Sequence, residues 1–369
     1  MSTNTPRARF APDGGFYADL KSRADAYLAT SGLPAGGGVR MHRKTALILA
    51  WLAGSYGLLL TFGAVSPVLA AALTLSAALA TAGVGFAVMH DANHGAWSSS
   101  PRVNRAMALT ADLIGGSSYV WRQKHNVRHH TYSNIDGLDA DIDAGAFLRL
   151  APSQRRLLYH RFQHAYAWFL YGFLALKWWV VDDVVDLVRG TIGGVRFPRP
   201  GRGQLALAIA GKVLFFGWAL VIPVIRFGSA WPILYFVAGS WVVGFVLSVV
   251  FQLAHVVPQA EFHDARGADR RMASGFAEHQ VRTTVDFAPG HRLLTWYLGG
   301  LNYQVEHHLF PSFCHLHYPA LSRIVEVTCR DHGIPYRCEP RLGGAIAGHH
   351  RLLRRLGEAV PVAAVPAAA

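Results

Sequence analysis

Four long apolar stretches dominate the pattern of hydrophobic and polar positions along the chain. They run over residues 45–63, 67–89, 205–225 and 231–250, and each is close to the roughly 20 residues that a helix needs to cross a bilayer. The linkers inside each pair, AVS and RFGSA, leave room only for turns. The pattern therefore predicts an all-α integral membrane protein with four spans in two hairpins.

Two further segments are apolar but do not have the pattern of a span. Residues 106–120 are too short and are broken by glycine and serine, which predicts an interfacial or re-entrant segment. Residues 157–181 mix Trp, Tyr and Phe with His, Arg and Lys, as in a helix at the membrane interface. We expect a cytosolic segment over 1–44, a membrane domain over 45–340, and a basic to Pro/Ala-rich tail over 341–369 that is disordered from residue 360.

Composition and charge agree with a membrane protein. The chain is 52% hydrophobic and 15% charged, against about 25% charged residues in ordinary soluble domains, which excludes a disordered chain and a disulfide miniprotein. The formal charge of +13 favours anionic lipid over nucleic acid in so apolar a chain. Cys314, Cys329 and Cys338 have no disulfide or zinc spacing and are predicted to be reduced thiols.

Basic residues predict the orientation of the spans. Arg40, Arg43 and Lys44 precede the first span, whereas the two hairpin turns hold only Arg226. Because basic residues remain on the cytoplasmic side, both termini are predicted to face the cytoplasm of a multi-pass protein in the cell's inner membrane. The first residues also lack the pattern of a secretory signal.

Nineteen histidines stand out, because eight of them fall in a few places: where the second span ends, between the two hairpins, and at or after the end of the fourth span. An even number of crossings separates successive clusters, so all of them emerge on one side of the membrane and can form one cytosolic site. The eight are His90, His94, His125, His129, His130, His255, His307 and His308.

The spacing of these histidines predicts two metal ions. Residues at i and i+4 share one helix face, so His90 with His94, and His125 with His129, can each bind one ion. The doublet His129–His130 points two ways, which suits neighbouring metals. Eight imidazoles also exceed the five or six ligands that one ion takes. Imidazole suits zinc, copper and nickel as well as iron, and iron is favoured if the reaction uses oxygen.

Other residues are weighed as ligands or supports. His279 is either a further ligand or an exposed histidine, and the Gln304 amide either binds metal or holds a water. His160, His164, His315 and His317 are read first as amphipathic or supporting side chains, and His349 and His350 as part of the tail. Five residues are predicted to orient the imidazoles by hydrogen bonds from behind: Asp91, Asn134, Asp139, Asp141 and Glu306. For residues 134–141, the alternative is a solvated acidic turn.

Two other metal motifs are disfavoured. Asp139, Asp141 and Asp143 resemble the start of a calcium loop, but Ala144 stands where the loop needs glycine. Asp91 replaces the general-base glutamate of a zinc protease helix.

The clusters HDANH, HNVRHH and QVEHH resemble the three histidine boxes of the membrane-bound fatty acid desaturase family, and Gln304 in the third box is similar to its front-end and acyl-lipid branch. The resemblance implies a non-haem di-iron oxidoreductase that introduces a C=C bond into an acyl chain with O2 and two electrons. Its ligands would be the eight histidines, with Gln304 in the variant position. No HPGG motif of a fused cytochrome is present, so a separate ferredoxin, cytochrome b5 or flavoprotein is expected as the donor.

Alternatives stay open for the chemistry and the substrate path. A hydroxylase or acetylenase on the same scaffold is the nearest rival, whereas a histidine-rich metal transporter should place its histidines at mid-bilayer depth. Four aromatic residues are predicted either to line an acyl tunnel or to belong to the interfacial belt: Trp97, Tyr119, Trp121 and Trp296.

Overall fold

The computed structural model describes residues 8–265 and 271–359, and the described chain is mostly helical. The helices are α1 (Phe16–Ser31), α2 (Gly38–Phe62), α3 (Pro67–His94), α4 (Pro101–Ala108), α5 (Thr110–Leu113), α6 (118–132), α7 (163–189), α8 (Arg202–Phe227), α9 (Trp231–His255), α10 (Phe276–Thr283), α11 (Arg292–Tyr297), α12 (Gln304–Leu309), α13 (Tyr318–Asp331) and α14 (Leu342–Gly357). Short 3-10 turns cover Ala140–Ile142, Leu158–Phe162 and His315–His317.

Four of these helices, α2, α3, α8 and α9, are long and apolar enough to cross a membrane, and they are the four predicted spans. The prediction of an all-α membrane protein is confirmed. The largest differences are at three ends: α2 begins at Gly38, inside the predicted N-terminal segment, and α3 and α9 continue to His94 and His255. Helix α8 also extends slightly beyond 205–225 at both ends. The second and fourth spans therefore continue as helix as far as their histidines.

Local sequence explains where α3 begins, and wider helical turns occur beside the histidine clusters. Ser66 caps α3 by accepting the Leu69 N–H, and Pro67 occupies the first helical position, where its missing N–H costs nothing. Wider π turns interrupt the α-helical pattern at Gly85–Met89 and Gln123–His129, directly before or within histidine clusters. Such turns occur mostly at functional sites, because they re-aim the side chains around them.

Helix α7 lies across the fourth span at a close glycine contact. Gly244 in α9 meets Gly172 in α7: a Cβ on Gly244 would overlap the α7 backbone, and a Cβ on Gly172 would overlap the Trp241 indole. That indole donates to the Phe169 carbonyl. Phe169 and Phe173 remain exposed on the outer face of α7. This segment begins after the predicted residue 157 and extends to Arg189, and its outward apolar face agrees with a helix that contacts lipid.

Lys212, a lysine inside the third span, packs against protein. Its Nζ lies 2.7 Å from the Asp183 carboxylate of α7 and 2.6 Å from the Gly115 carbonyl. Gly115 and Gly116 pack so tightly on Phe215 and Trp178 that a Cβ would clash. This ion pair joins the third span, α7 and the segment that leads into α6.

Short strand pairs brace the loops around the histidine clusters. Strand β1 (Ile135–Asp136) pairs in parallel with β4 (His263–Asp264), and β5 (Asp286–Phe287) pairs in parallel with β6 (Cys338–Glu339). The remaining pair, β2 (Thr191–Ile192) and β3 (Val195–Arg196), is an antiparallel hairpin after α7. An apolar core that includes Phe16, Leu20, Val281, Leu321 and Val325 fastens α1, α10 and α13 together beside α12.

The C-terminal region is more ordered than the sequence suggested. Residues 342–357 form α14, and His349, predicted to belong to a tail, is fully buried between the Tyr171 hydroxyl and the Val256 carbonyl. The apolar side of this amphipathic helix needed a partner, and it packs beside α7 and α9. The disorder predicted from residue 360 falls outside the described residues. All three cysteines are free.

Candidate metal centre

The structure brings all eight clustered histidines together at one end of the four spans. They come from the ends of α3 and α9, from α6 and from α12, and every one is buried or nearly so. Aromatic ring contacts run through the whole set, with ring centroids 4.4–5.9 Å apart. Residues far apart in sequence thus form one compact site.

The imidazole nitrogens divide into two separate groups. One group is His90, His94, His125 and His307, and the other is His129, His255 and His308; within each, one nitrogen per residue lies within 4.8 Å of the others. The two groups share no member. His130 lies between them, because it forms a third such set with His307 and His308.

The distances between imidazole nitrogens in and between these groups fit those of ligands that share a metal ion. His130 Nε2 lies 2.9 Å from His307 Nε2 and 3.2 Å from His125 Nε2, and His90 Nε2 lies 3.3 Å from His125 Nε2. Two nitrogens bound at right angles to one ion at about 2.1 Å are about 3.0 Å apart. Buried Nε2 atoms without any hydrogen-bond partner occur at His94, His129 and His308. A neutral donor set of this kind suits divalent transition metals.

The π turn in α6 changes the pairing that the sequence suggested. The i, i+4 rule placed His125 and His129 on one ion, but His125 belongs to the first group and His129 to the second; their only shared set includes Asp141. In the wider turn His125 contacts His130, five residues on. One helix can thus supply both groups.

Hydrogen bonds from behind fix the orientation of three rings. Asp139 lies 3.0 Å from His129 Nδ1, Gln280 Oε1 lies 2.8 Å from His308 Nδ1, and the Tyr318 hydroxyl lies 3.2 Å from His307 Nδ1. A ring that donates its Nδ1–H presents the Nε2 lone pair on the other side. Asp139 was predicted in this role; Gln280 and Tyr318 were not, because they are distant in sequence and belong to no motif.

Burial keeps most of these imidazoles neutral, as metal ligation requires. Burial, together with the neighbouring imidazoles, holds the pKa of His125, His130, His307 and His308 well below the usual value. For His129, burial also lowers the pKa, but the Asp139 carboxylate outweighs it, so the net shift is upward.

The other predicted supports have different contacts. Asp91 accepts from the His315 ring at 2.7 Å, and Lys44 lies 2.7 Å from the other side of that ring. Asp141 pairs with Lys124 at 2.9 Å and is 3.8 Å from His125 Nδ1.

Asn134 and Glu306 do not contact the imidazoles through their side chains. Asn134, with a left-handed φ of 55°, donates its side chain to backbone carbonyls, including that of His255 at 2.8 Å. Glu306 faces Asp286 and Tyr336, where burial and the Asp286 charge raise its pKa well above normal.

Gln304 and His279 have distinct positions. Gln304 Nε2 lies 2.9 Å from His255 Nε2, so its amide borders the second group. His279 belongs to none of the nitrogen groups found among the described residues and is fully buried, which contradicts the exposed alternative; its Nε2 donates to the Ser133 carbonyl at 2.9 Å.

Of the four aromatic candidates, Trp121 is the one whose ring contacts the eight clustered histidines. The Trp121 ring lies 4.4 Å from that of His125 and also contacts His90 and His94. Trp97 donates to Thr45, Tyr119 donates to the Pro198 carbonyl, and Trp296 lies under Lys44.

A bundle of four helices long enough to cross a membrane, with a buried cluster of histidines at one end that could hold metal, defines the class of protein. The fatty acid desaturase family model matches residues 64–340. The chain belongs to the fatty acid desaturase family and is an oxidoreductase that desaturates fatty acids.

Similar curated proteins are lipid desaturases. An sn-1 linoleoyl-lipid 6-desaturase from Synechocystis sp. is 36% identical over 96% of this chain and 98% of its own length. A protein of the same name from Arthrospira platensis is 36% identical over 96% of both chains. An acyl-lipid (8-3)-desaturase from Physcomitrium patens is 35% identical over 94% of this chain and 72% of its own.

Proposed function

We propose that the protein introduces a C=C bond into a lipid-linked fatty acyl chain, with O2 and two electrons, at two iron ions held by the eight histidines. The observation that carries the proposal is the division of the buried nitrogens into two groups with His130 between them. Gln304 would complete the second group through its amide oxygen or a water. Iron is proposed over zinc because the reaction needs an oxygen-activating, redox-active metal.

The chain's own residues hold the metals and exclude water. When bound, the irons supply the oxidising power that an unactivated C–H bond demands. Asp139, Gln280 and Tyr318 keep three rings in the ligating orientation, and Trp121 covers the first group. Burial of the whole set keeps bulk water from the reacting carbon atoms.

An apolar pocket among the four spans and α7 is proposed to take the far part of the acyl chain. None of its lining residues is charged, as suits a hydrocarbon chain. Thr81, one lining residue, precedes His90 by nine positions on α3, or about 13 Å of helix. The cavity is thus within reach of a long chain that passes the metals.

We expect Ala78→Phe to shift the enzyme toward shorter acyl chains. Ala78 lines the cavity opposite Gly239, so a benzyl group would occupy the space of several methylenes. Desaturation of long chains should fall roughly tenfold relative to short ones. The measurement is the product chain-length profile by gas chromatography and mass spectrometry, with Ala72→Phe on the exposed face of α3 as the matched control. An unchanged profile in Ala78→Phe would exclude the cavity.

The electrons are proposed to come from a separate ferredoxin, cytochrome b5 or flavoprotein. The formal charge of +13 favours an acidic donor through long-range attraction. The positive-inside rule supports a cytoplasmic position for the site and for this encounter.

The proposed reaction is tested in a bacterial host that makes no polyunsaturated lipids. Cells that express the protein and receive linoleic acid should accumulate lipids with an additional double bond only when oxygen is present. Lipids are separated by class, and the new bond is located by mass spectrometry. The purified protein should contain about two irons per chain.

The same experiment separates the nearest alternative. A hydroxylase or an acetylenase on this scaffold would yield a hydroxylated or triple-bonded chain instead. Either product as the main species would refute desaturation as the reaction, while leaving the metal site in place.

A further inference from the structure

Seven arginines surround the C-terminal end of α14, in a group called the arginine corner below. They are Arg149, Arg155, Arg156, Arg161, Arg351, Arg354 and Arg355. Residues 144–181 and 340–357, which supply them, contain no aspartate or glutamate. Glu358 is the nearest acidic residue in sequence, and it pairs with Arg354 at 3.8 Å. The corner therefore carries a large excess of positive charge.

Contacts around the helix end bring these residues together. Arg149 donates to the Leu356 carbonyl and Arg156 to the Gly357 carbonyl, both at 2.8 Å. Two guanidinium groups thus satisfy carbonyls that have no partner within α14. A Cβ on Gly357 would lie 3.1 Å from the Arg161 Cα. Two nitrogens of Arg355, Nε and Nη2, are buried without any hydrogen-bond partner. A buried guanidinium nitrogen without a protein acceptor needs a water or an anion to satisfy it.

Large apolar side chains project beside the corner. Phe147, Leu158 and Phe162 are 68%, 79% and 54% exposed. Phe162 precedes Phe169 by seven positions and Phe173 follows by four, so the three lie on about one helix face. Phe169 packs beside Trp241, well inside the fourth span. The apolar edge of the corner is therefore continuous with the surface of α7 that contacts lipid.

We propose that the arginine corner binds the phosphate headgroups of anionic phospholipids in the leaflet next to the metal-site end of the spans. Phe147, Leu158 and Phe162 would enter the acyl region just below the headgroups, as in interfacial anchors. Basic residues at a membrane surface each contribute about a fivefold preference for anionic lipid. The site is independent of the proposed reaction and fixes α7 and α14 against the bilayer.

A lipid surface fits these observations better than an acidic protein. A docking site for a soluble carrier would be polar at its rim, whereas this rim consists of protruding phenylalanine and leucine side chains that join a lipid-facing helix. Combined charge and apolar protrusion is the pattern of surfaces that bind anionic membranes.

The test compares two double variants in nanodiscs of phosphatidylcholine with a minor fraction of phosphatidylglycerol. Arg161→Gln/Arg355→Gln removes two of the seven positive charges of the corner, and Arg323→Gln/Arg330→Gln removes the same charge from exposed positions of α13. Protein is extracted and bound lipids are counted by native mass spectrometry. Wild type and the α13 variant should retain phosphatidylglycerol at least fivefold above its bulk share, and the corner variant less than twofold.

Two further measurements distinguish lipid binding from a soluble anion site and from a docking site for an acidic protein. Inorganic phosphate should not displace the lipid, and displacement would indicate a soluble anion site instead. Enrichment that survives in the corner variant, or weakened binding of an acidic ferredoxin with lipid unchanged, would overturn the proposal. If loss of Arg355 prevents folding, Arg155→Gln/Arg161→Gln provides the same test on two exposed residues.

Discussion

We expect His125→Ala and His308→Ala each to abolish product formation, to lower the iron content of the proposed site from about two ions per chain to about one, and to leave membrane insertion intact. His125 belongs to the first nitrogen group and His308 to the second, so each variant would remove a ligand from a different one of the two proposed ions. Loss of a residue that merely supports a ligand costs about 10–100-fold in metal affinity or activity, so loss of a ligand should cost more. The measurements are elemental analysis of the purified protein and mass spectrometry of its lipids.

His350→Ala is the matched control, because His350 contacts only His164 and Trp168 among ring neighbours and lies outside both groups. It should keep both irons and full activity. If His125→Ala and His308→Ala retain both irons and still form product, the two-ion assignment is wrong.

We expect Lys212→Met and Asp183→Leu each to destabilise the protein strongly, and the double variant to regain most of the lost free energy of unfolding. The two side chains are 17% and 1% exposed and form an ion pair, with further contacts to the Gly115 carbonyl and the Trp178 indole. Removal of one partner leaves an uncompensated buried charge, which costs about 3–5 kcal/mol in the free energy of unfolding. Replacement of both by apolar groups leaves no such charge. The measurement is unfolding in detergent by intrinsic fluorescence.

The exposed pair Lys177–Asp182 provides the comparison. Lys177 is 62% exposed there, so Lys177→Met should cost less than about 1 kcal/mol. A Lys212→Met/Asp183→Leu variant that is no more stable than the worse single variant would show that the pair does not act as a unit.

The histidine boxes could be recognised from sequence because their information is local. His90 with His94, and the doublet His307–His308, are motifs within a single turn of helix, and hydropathy alone places them beside the ends of spans. The pairing of His125 with His129 on one ion stays a prediction: a π turn in α6 places them in different nitrogen groups, although the two also form a set with Asp141. No local pattern announces such a turn, since packing around the site stabilises it.

Residues without a motif were the hardest to place. His349 and His279 have no sequence feature that distinguishes a buried histidine from an exposed one, yet both are fully buried with backbone hydrogen bonds. Gln280 and Tyr318 gained roles only because α10 and α13 pack beside α12. Glu306 directly precedes His307 and was predicted to support the ligands, but its helix turns the carboxylate toward Asp286.

The sequence by itself determined the four spans, their pairing into hairpins and the identity of the clustered imidazoles, because hydropathy and short-range spacing act over a few residues. Only the tertiary structure decided how those imidazoles divide between two groups, which side chains orient them and where Lys212 finds its partner. These choices depend on contacts between segments far apart in the chain, and such contacts exist only after the helices have packed.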